Sequence, residues 1–231
     1  MKKPTETFSQ FLDRTDRALL VKRVNLRHYG AVVAIAALLG LQSFAHAFGC
    51  AQVARRRAFP KQWLKDNFEA DHKRGVGDPE AEYPYMGYPD AGAGYYARRL
   101  AYKDWYEFNC AQRVHMNNVD HLAYMLPLYF VSGLFFPRFV VGMGSTVLVG
   151  RELYRIGYTS KEGPTSFIRE LGAFPLNIAE LLVLGSVVFV YFRYSLGPYV
   201  WRRKFIKKHF THSPVQIEVE NQHKDFLLQR N

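Results

Sequence analysis

The sequence predicts an all-α integral membrane protein built as a four-helix bundle, and three observations lead to this fold class. The chain of 231 residues is 48% hydrophobic, yet its apolar and charged residues are segregated along the chain. The segment 29–54 contains no Asp, Glu, Lys or Arg, and it is longer than the roughly 20 residues that cross a bilayer core as a helix. Three further apolar segments of helical length follow, with Pro or Gly between them.

Composition excludes several other classes of protein. Aromatic residues make up 16% of the chain, which argues against disorder. Two cysteines, Cys50 and Cys110, are too few for a disulfide scaffold and belong to no metal-ligand cluster. The net charge is +11, but the basic residues gather at the ends of apolar segments, at 55–57 and 202–208. This placement predicts a bilayer with anionic lipids as a partner and no nucleic acid.

Residues 1–28 predict an amphipathic helix that lies on the membrane surface. Its apolar residues recur at helical spacing: Phe8, Phe11, Leu12 and Leu19. Three acidic residues in the same segment fit poorly with the alternative of a mitochondrial presequence. The tripeptide at 45–47 imitates a signal-peptide cleavage site, but the apolar segment before it is too long. We therefore predict that the first span, 29–54, is uncleaved.

The rest of the chain predicts three more helices and two polar regions. A polar insertion at 55–107 is expected to be mostly loop, with one helix around 61–72, because Pro and Gly recur through it. The three helices are predicted at 107–136, 138–158 and 166–194. The predicted domains are an N-terminal segment 1–28, a transmembrane domain 29–194 and a basic polar tail 195–231. Lys and Arg are nearly balanced between the two sides of the membrane, so the sequence does not predict an orientation.

Two stripes of polar residues lie on the apolar segments. In 107–136 the stripe follows spacings of four, four, three and four, which places one helical face at Asn109, Arg113, Asn117, Asp120 and Tyr124. In 138–158 the stripe consists of Arg151, Tyr154, Arg155 and Tyr158. Charge facing lipid costs several kcal/mol, so both stripes are expected to face protein. Two interpretations stay open: a pocket for a ligand that bears carboxylates, or internal pairing of Arg113 with Asp120 and interfacial anchoring by the Arg and Tyr residues of 138–158.

Three further features are assigned mainly to packing. Glu180 lies in the middle of the fourth helix, where a carboxylate is expected to pair with a neighbouring helix or subunit more readily than to act in catalysis. His46 is expected to be a hydrogen-bonded packing residue. The small residues Gly142, Gly144 and Ser145 predict a close approach of helices.

Several motifs resemble one family. The string FNCAQRVHMNN at 108–118 is similar to the second-helix signature of the membrane-associated proteins in eicosanoid and glutathione metabolism (MAPEG). VGRELYRIGY at 149–158, preceded by Pro137-Arg138, is similar to the third helix of the same family. The resemblance covers about residues 45–175 and is closest to microsomal glutathione transferase of the third type.

The resemblance implies a homotrimer that binds glutathione between subunits near one membrane face. It implies six ligand-binding residues at matching positions: Arg113, Asn117, Asp120, Arg151, Tyr154 and Tyr158. Asp120 stands where the family usually has Glu. The cation that steadies the glutathione thiolate in the family has no direct counterpart, and Arg169 or Arg56 is the expected substitute.

Two functions follow from the resemblance and from the departures. The first is a glutathione transferase or peroxidase that acts on lipophilic electrophiles or lipid hydroperoxides in an endoplasmic reticulum or mitochondrial membrane. The second is an accessory subunit, with little or no catalysis, surrounded by foreign subunits of a large assembly such as a mitochondrial respiratory or ATP synthase complex. In the second case Asp120 is expected to close on Arg113 or Arg151 as an internal ion pair.

Overall fold

The protein is described by a computed structural model over residues 28–84 and 90–196, and these residues contain helices and no β-strand. The predicted amphipathic segment 1–28 lies outside the described residues except for His28, and so does the basic tail from residue 197 onward. The chain divides into two units, Met1–Leu184 and Gly185–Asn231. All packing described below lies within the first unit.

In the described residues six α-helices follow one another. They are α1 (Tyr29–His46), α2 (Gln52–Ala58), α3 (Lys61–Val76), α4 (Tyr102–Phe135), α5 (Pro137–Tyr158) and α6 (Phe167–Val190). A wide π-helical turn, Ala47–Ala51, joins α1 to α2 without breaking the helix, and a second π turn, Tyr191–Leu196, continues α6. The joined helix Tyr29–Ala58 and the helix Phe167–Tyr194 are long and apolar enough to cross a membrane.

The other two predicted spans correspond to α4 and α5, with 34 and 22 residues. Both are long enough to cross a bilayer core, but their polar stripes keep them from being recognised by hydropathy. A single residue, Phe136, separates them, because Pro137 lacks a backbone N–H and opens the next helix at its first turn. Crossing of the membrane by α4 and α5 stays a prediction.

The helices α1, α4, α5 and α6 share one apolar core. Its buried members are Val32, Leu39, Met125, Tyr129, Val140, Val147, Leu176, Ala179 and Val183. Glycines bring the helix backbones close together: a Cβ on Gly133 would lie 2.6 Å from Val32 Cγ1, and one on Gly144 would lie 2.7 Å from Ile35 Cγ1. The predicted packing role is confirmed for Gly144, whereas Gly142 has no such neighbour within 4 Å.

The polar insertion is more ordered than the sequence predicts. Its first residues extend the first helix to Ala58, and α3 runs four residues beyond the helix expected at 61–72. A second apolar core lies within it and includes Phe108 at the start of α4: Ala58, Phe59, Leu64, Phe68, Tyr83, Ala97 and Phe108. The recurring prolines and glycines predict a loop, but in the structure they lie at the ends of helices. Pro60 precedes α3, and Gly77 ends it with a φ of 78°.

Asp90 organises the return from the insertion to α4. Its side chain is 4% exposed, and its carboxylate accepts backbone hydrogen bonds from Gly92 (2.7 Å), Gly94 (2.9 Å) and Ala97 (2.8 Å). Burial raises the pKa of this carboxyl, but the hydrogen bonds from backbone amides, including that of Tyr96, outweigh burial and hold the pKa below its ordinary value. Asp90 is therefore a charged anchor for the segment 90–97.

Candidate functional site

Arg151 lies at the centre of the polar cluster between α4, α5 and α6. Its side chain is 2% exposed. One guanidinium nitrogen donates to Asn117 Oδ1 on α4 at 2.6 Å, and another donates to Glu180 Oε1 on α6 at 3.1 Å. The structure thus brings together two of the predicted binding residues, Arg151 and Asn117.

Glu180 completes this cluster as an internal partner. Its side chain is 6% exposed. Its second carboxylate oxygen accepts hydrogen bonds from His121 Nδ1 at 2.5 Å and from the Tyr124 hydroxyl at 3.1 Å. His121 Nε2 lies 3.4 Å from the Asn117 amide nitrogen. The packing interpretation of Glu180 is therefore confirmed, because a carboxylate in an apolar core requires cationic and hydrogen-bonding partners.

The predicted pairing of Asp120 is wrong. Asp120 and Arg113 are both exposed and form no ion pair with any other described residue. The spacing placed them on one face with Asn117, but the buried residues Val114 and Asn118 show that α4 turns a neighbouring face toward the core. Glu180 takes the role expected of Asp120, since its own helix presents it directly to Arg151.

His121 is the functional candidate that the sequence analysis missed. It lies four residues after Asn117 and three before Tyr124, so helical spacing alone places it beside both. The predicted stripe runs through Asp120, one residue earlier, and therefore omits His121. The resulting set of Asn117, His121, Tyr124, Arg151 and Glu180 spans three helices.

A second group of predicted residues gathers where α5 ends and α6 begins. The rings of Tyr154 and Tyr158 lie 5.0 Å apart, and the Arg169 guanidinium carbon lies 5.9 Å from the centre of the Tyr158 ring. Gly157 permits this approach, because a Cβ there would overlap the Arg169 backbone. The buried Nε of Arg169 has no hydrogen-bond partner among the described residues. Arg56 is exposed on α2 and has no recorded contact with this group.

The remaining polar residues of the two stripes serve other contacts. Arg155 donates to Glu152 at 2.8 Å, and Glu152 also accepts from the buried His46 Nε2 at 3.1 Å. Asn118 lies 3.3 Å from His46 Nδ1, which confirms His46 as a hydrogen-bonded packing residue. Asn109 donates to the Gly92 carbonyl at 3.1 Å and so holds the insertion.

In the part of the chain that the structure describes, no group of three or more His, Cys, Asp or Glu side chains could hold a metal ion. The cations and phenols instead suit an organic ligand that bears carboxylates. Arg113 forms no hydrogen bond with another described residue. Arg169 pairs with Glu170 at 3.1 Å through one guanidinium nitrogen but keeps its buried Nε without a partner among the described residues. Arg151, in contrast, is committed to Asn117 and Glu180.

Comparison with known proteins identifies the family to which the chain belongs. No solved structure is detectably similar to the chain. The model of the MAPEG family matches residues 32–185, which include most of α1, all of α2 to α5 and most of α6. This match together with the two apolar helices identifies an integral membrane protein. The nearer resemblance to glutathione transferase of the third type stays a prediction. The match covers well over half of the chain, and the chain therefore belongs to the MAPEG family.

Proposed function

We propose that this protein is a membrane-bound glutathione transferase or peroxidase, built as a four-helix transmembrane bundle, that acts on lipophilic electrophiles or lipid hydroperoxides. Family membership supports the use of glutathione. The observation that carries the proposal is the placement of Arg169 beside Tyr158 and Tyr154, because it joins a cation to two phenols at one end of α5. Arg169 also keeps a buried donor that other described residues do not use.

Each predicted binding residue would contact the group of glutathione that suits its own chemistry. Arg113 and Asn117 would donate hydrogen bonds to the carboxylates of glutathione, and Asp120 would accept one from its ammonium group. Tyr154 and Tyr158 would line the site through their rings and hydroxyls. Arg113 and Asp120 are exposed on a single chain, so a homotrimer would supply the facing wall from another copy.

Glutathione would supply a nucleophilic thiolate. An ordinary thiol has a pKa near 8.5 and is mostly protonated at neutral pH, so a nearby cation is needed to stabilise the charged sulfur. Arg169 is the better supported of the two predicted cations, since Arg56 has no recorded contact with the tyrosines. Lipophilic substrates would arrive through the bilayer and meet the thiolate at the membrane interface.

The test is glutathione binding and turnover by the purified full chain. Arg113→Ala is expected to weaken glutathione affinity by about 1.5–3 kcal/mol, or about ten- to one-hundredfold, because a hydrogen bond to a charged group is lost. Arg169→Gln is expected to lower turnover at neutral pH and to move the rise of activity to higher pH, with Arg169→Lys restoring part of both. Arg98→Gln, an exposed change in the insertion, serves as the control. If the wild-type chain neither binds glutathione nor conjugates a generic electrophile, the proposal is wrong.

Two observations favour a second function, that of an accessory subunit in a large membrane assembly. Glu180 already neutralises Arg151, so one of the expected ligand-binding cations needs no ligand. The folded insertion also adds polar surface that a compact trimer does not require.

Extraction from native membranes in a mild detergent separates the two functions. A homotrimer with glutathione between its copies supports the enzyme, and a single copy among foreign subunits supports the accessory role. Fractionation of the same cells would show whether the membrane is that of the endoplasmic reticulum or the mitochondrion.

A further inference from the structure

A cleft of about 630 Å³ opens between the end of the first helix, the start of α4 and the residues that follow α5. The π turn and α2 form one wall, and the segment 158–161 forms another. Of the eight residues predicted for glutathione binding or catalysis, Tyr158 alone borders the cleft. The cleft is therefore a separate feature of the molecule.

The rim of the cleft is predominantly cationic. Its charged side chains are Arg57, Lys103, Asp104, Glu107, Arg155 and Lys161. Lys103 lies 4.0 Å from Glu107, and Arg155 is paired with Glu152. Arg57 and Lys161 are exposed and have no ion-pair partner among the described residues. Two cations from different parts of the chain thus face one cleft, Arg57 on α2 and Lys161 in the turn after α5. Asp104 is the single opposing charge on this rim that forms no ion pair with another described residue.

The interior of the cleft is apolar. Val53, Ala54, Phe108 and Ala111 line it, together with the thiols of Cys50 and Cys110. Such a combination of apolar floor and basic rim suits an amphiphile better than a small soluble anion, which would use the rim alone. A volume of this size falls within the range of ordinary small-molecule sites.

The position of the cleft agrees with an amphiphilic ligand. It lies at the end of the span Tyr29–Ala58, where a membrane helix meets the headgroup region. The aromatic side chains of Phe44 and Phe48 are exposed, and their rings lie 4.4 Å apart. They precede the first residue that lines the cleft, Gly49, which lies in the π turn. Turns of this kind inside α-helices are frequent at functional sites.

We propose that this cleft binds the phosphate headgroup of an anionic phospholipid, with Arg57 and Lys161 as its unpaired cations. The phosphate would lie at the rim, and the start of the acyl chains would contact the apolar floor and continue along Phe48 and Phe44. The proposal does not depend on glutathione chemistry, since it uses neither Arg113 nor Arg169.

Each cation near a membrane surface contributes about 1 kcal/mol to the binding of anionic lipid. Neutralising both Arg57 and Lys161 is therefore expected to weaken lipid affinity about thirtyfold, which corresponds to about 2 kcal/mol. Both side chains are exposed, so their replacement by Gln is not expected to disturb folding.

Cys50 provides the measurement, because its half-buried thiol lines the cleft. The full chain carrying Cys110→Ala is purified in non-ionic detergent and stripped of lipid, and the rate of maleimide labelling at Cys50 is followed. Phosphatidylglycerol is expected to slow the labelling, and phosphatidylcholine with the same acyl chains is expected to have little effect. The double variant Arg57→Gln and Lys161→Gln should need about thirtyfold more phosphatidylglycerol for the same protection.

A matched control removes two exposed cations that do not line the cleft, by Arg98→Gln and Lys65→Gln. This control should respond to lipid as the wild type does. Equal loss in both double variants would show a general charge effect and overturn the proposal. Protection by soluble glycerol phosphate at the same concentration would assign the rim to a free phosphate ester, and protection by glutathione would assign the cleft to the tripeptide. Equal protection by phosphatidylcholine, or no protection by any lipid, would also contradict the proposed site.

Discussion

The buried ion pair of Arg151 and Glu180 shows how single residues determine the chemistry inside this helical protein. Two opposite charges in an apolar interior are tolerated because each satisfies the other and because Asn117, His121 and Tyr124 complete their hydrogen bonds. The same pairing limits function, since a guanidinium held by an internal carboxylate is less available to a ligand.

Replacing one partner of this pair is expected to destabilise the protein far more than replacing both. Arg151→Met leaves Glu180 as an uncompensated buried charge and should lower the free energy of unfolding by about 3–5 kcal/mol. The double change Arg151→Met and Glu180→Gln should recover most of that loss, because no isolated charge remains. Thermal unfolding of the detergent-solubilised chain measures both. Equal destabilisation by the single and double variants would contradict the ion-pair explanation.

A pH dependence is expected from Asp90, which lies outside the membrane spans. Backbone hydrogen bonds keep its pKa lower in the folded chain than the ordinary value of about 4 in an unfolded chain. Its stabilising contribution is therefore complete above about pH 4 and is lost as the pH falls through the lowered folded pKa.

The corresponding variant is Asp90→Asn, which replaces one accepting oxygen by an amide group and leaves a buried backbone N–H without its acceptor. We expect a loss of about 1–3 kcal/mol in the stability of the insertion, measured as faster amide hydrogen exchange in α3. The variant should also lose the acid-dependent part of the exchange rate. Unchanged exchange at every pH would show that Asp90 does not anchor this segment.

At the scale of elements, the backbones of α5 and α6 lie in close contact. A Cβ on Gly150 would lie 2.8 Å from the carbonyl oxygen of Gly172, and a Cβ on Gly172 would overlap the backbone of α5. This contact brings Glu180 within reach of Arg151 and sets Arg169 beside Tyr158, because both pairs join these two helices.

A substitution that moves α5 and α6 apart should disturb both the candidate functional site and the stability of the fold. Gly172→Ala is expected to destabilise the protein by about 1–3 kcal/mol, since the added methyl group forces two helix backbones apart. Gly142→Ala on α5 is the matched control, because a Cβ there meets nothing within 4 Å. Thermal unfolding of both variants tests the difference. A tolerated alanine at Gly172 would show that the helices are less tightly packed than the structure indicates.

At the scale of the whole molecule, one face of α4 is left exposed by the other described residues. Arg113, Met116 and Asp120 are exposed on one side of this helix at spacings of three and four. A charged face of this kind is costly against lipid, so another protein chain is expected to cover it once the bundle is in the membrane.

A photoreactive benzophenone amino acid in place of Met116 tests this expectation in native membranes. Illumination should yield a covalent product with a second copy if the protein is a homotrimer, or with a foreign subunit if it is an accessory component. The same amino acid in place of Leu181, an exposed apolar residue of α6, is expected to react mainly with lipid. Absence of any protein product at Met116 would show that this face is not a subunit interface.

The sequence by itself determined the helical class, the two apolar spans and the family. These properties reside in local patterns: a long uncharged segment, prolines and glycines at helix ends, and motif strings that retain their order. Helical spacing also identified most members of the polar cluster, including Asn117, Tyr124 and Arg151. It identified Glu180 as a partner for another helix, without naming which one.

Only tertiary packing determined which charged side chains pair with one another. Spacing alone assigns Arg113, Asn117 and Asp120 to one face, but a helical face is broad, and the buried neighbours of Asn117 determine which part of it points inward. The partner of Arg151 lies 29 residues away on another helix, a distance that no local pattern encodes. The order of the insertion likewise depends on aromatic contacts between residues far apart in the chain, such as those of Phe59 with Phe108 and of His72 with Tyr83. A segment rich in Pro and Gly folds only where distant side chains can cover its few apolar residues.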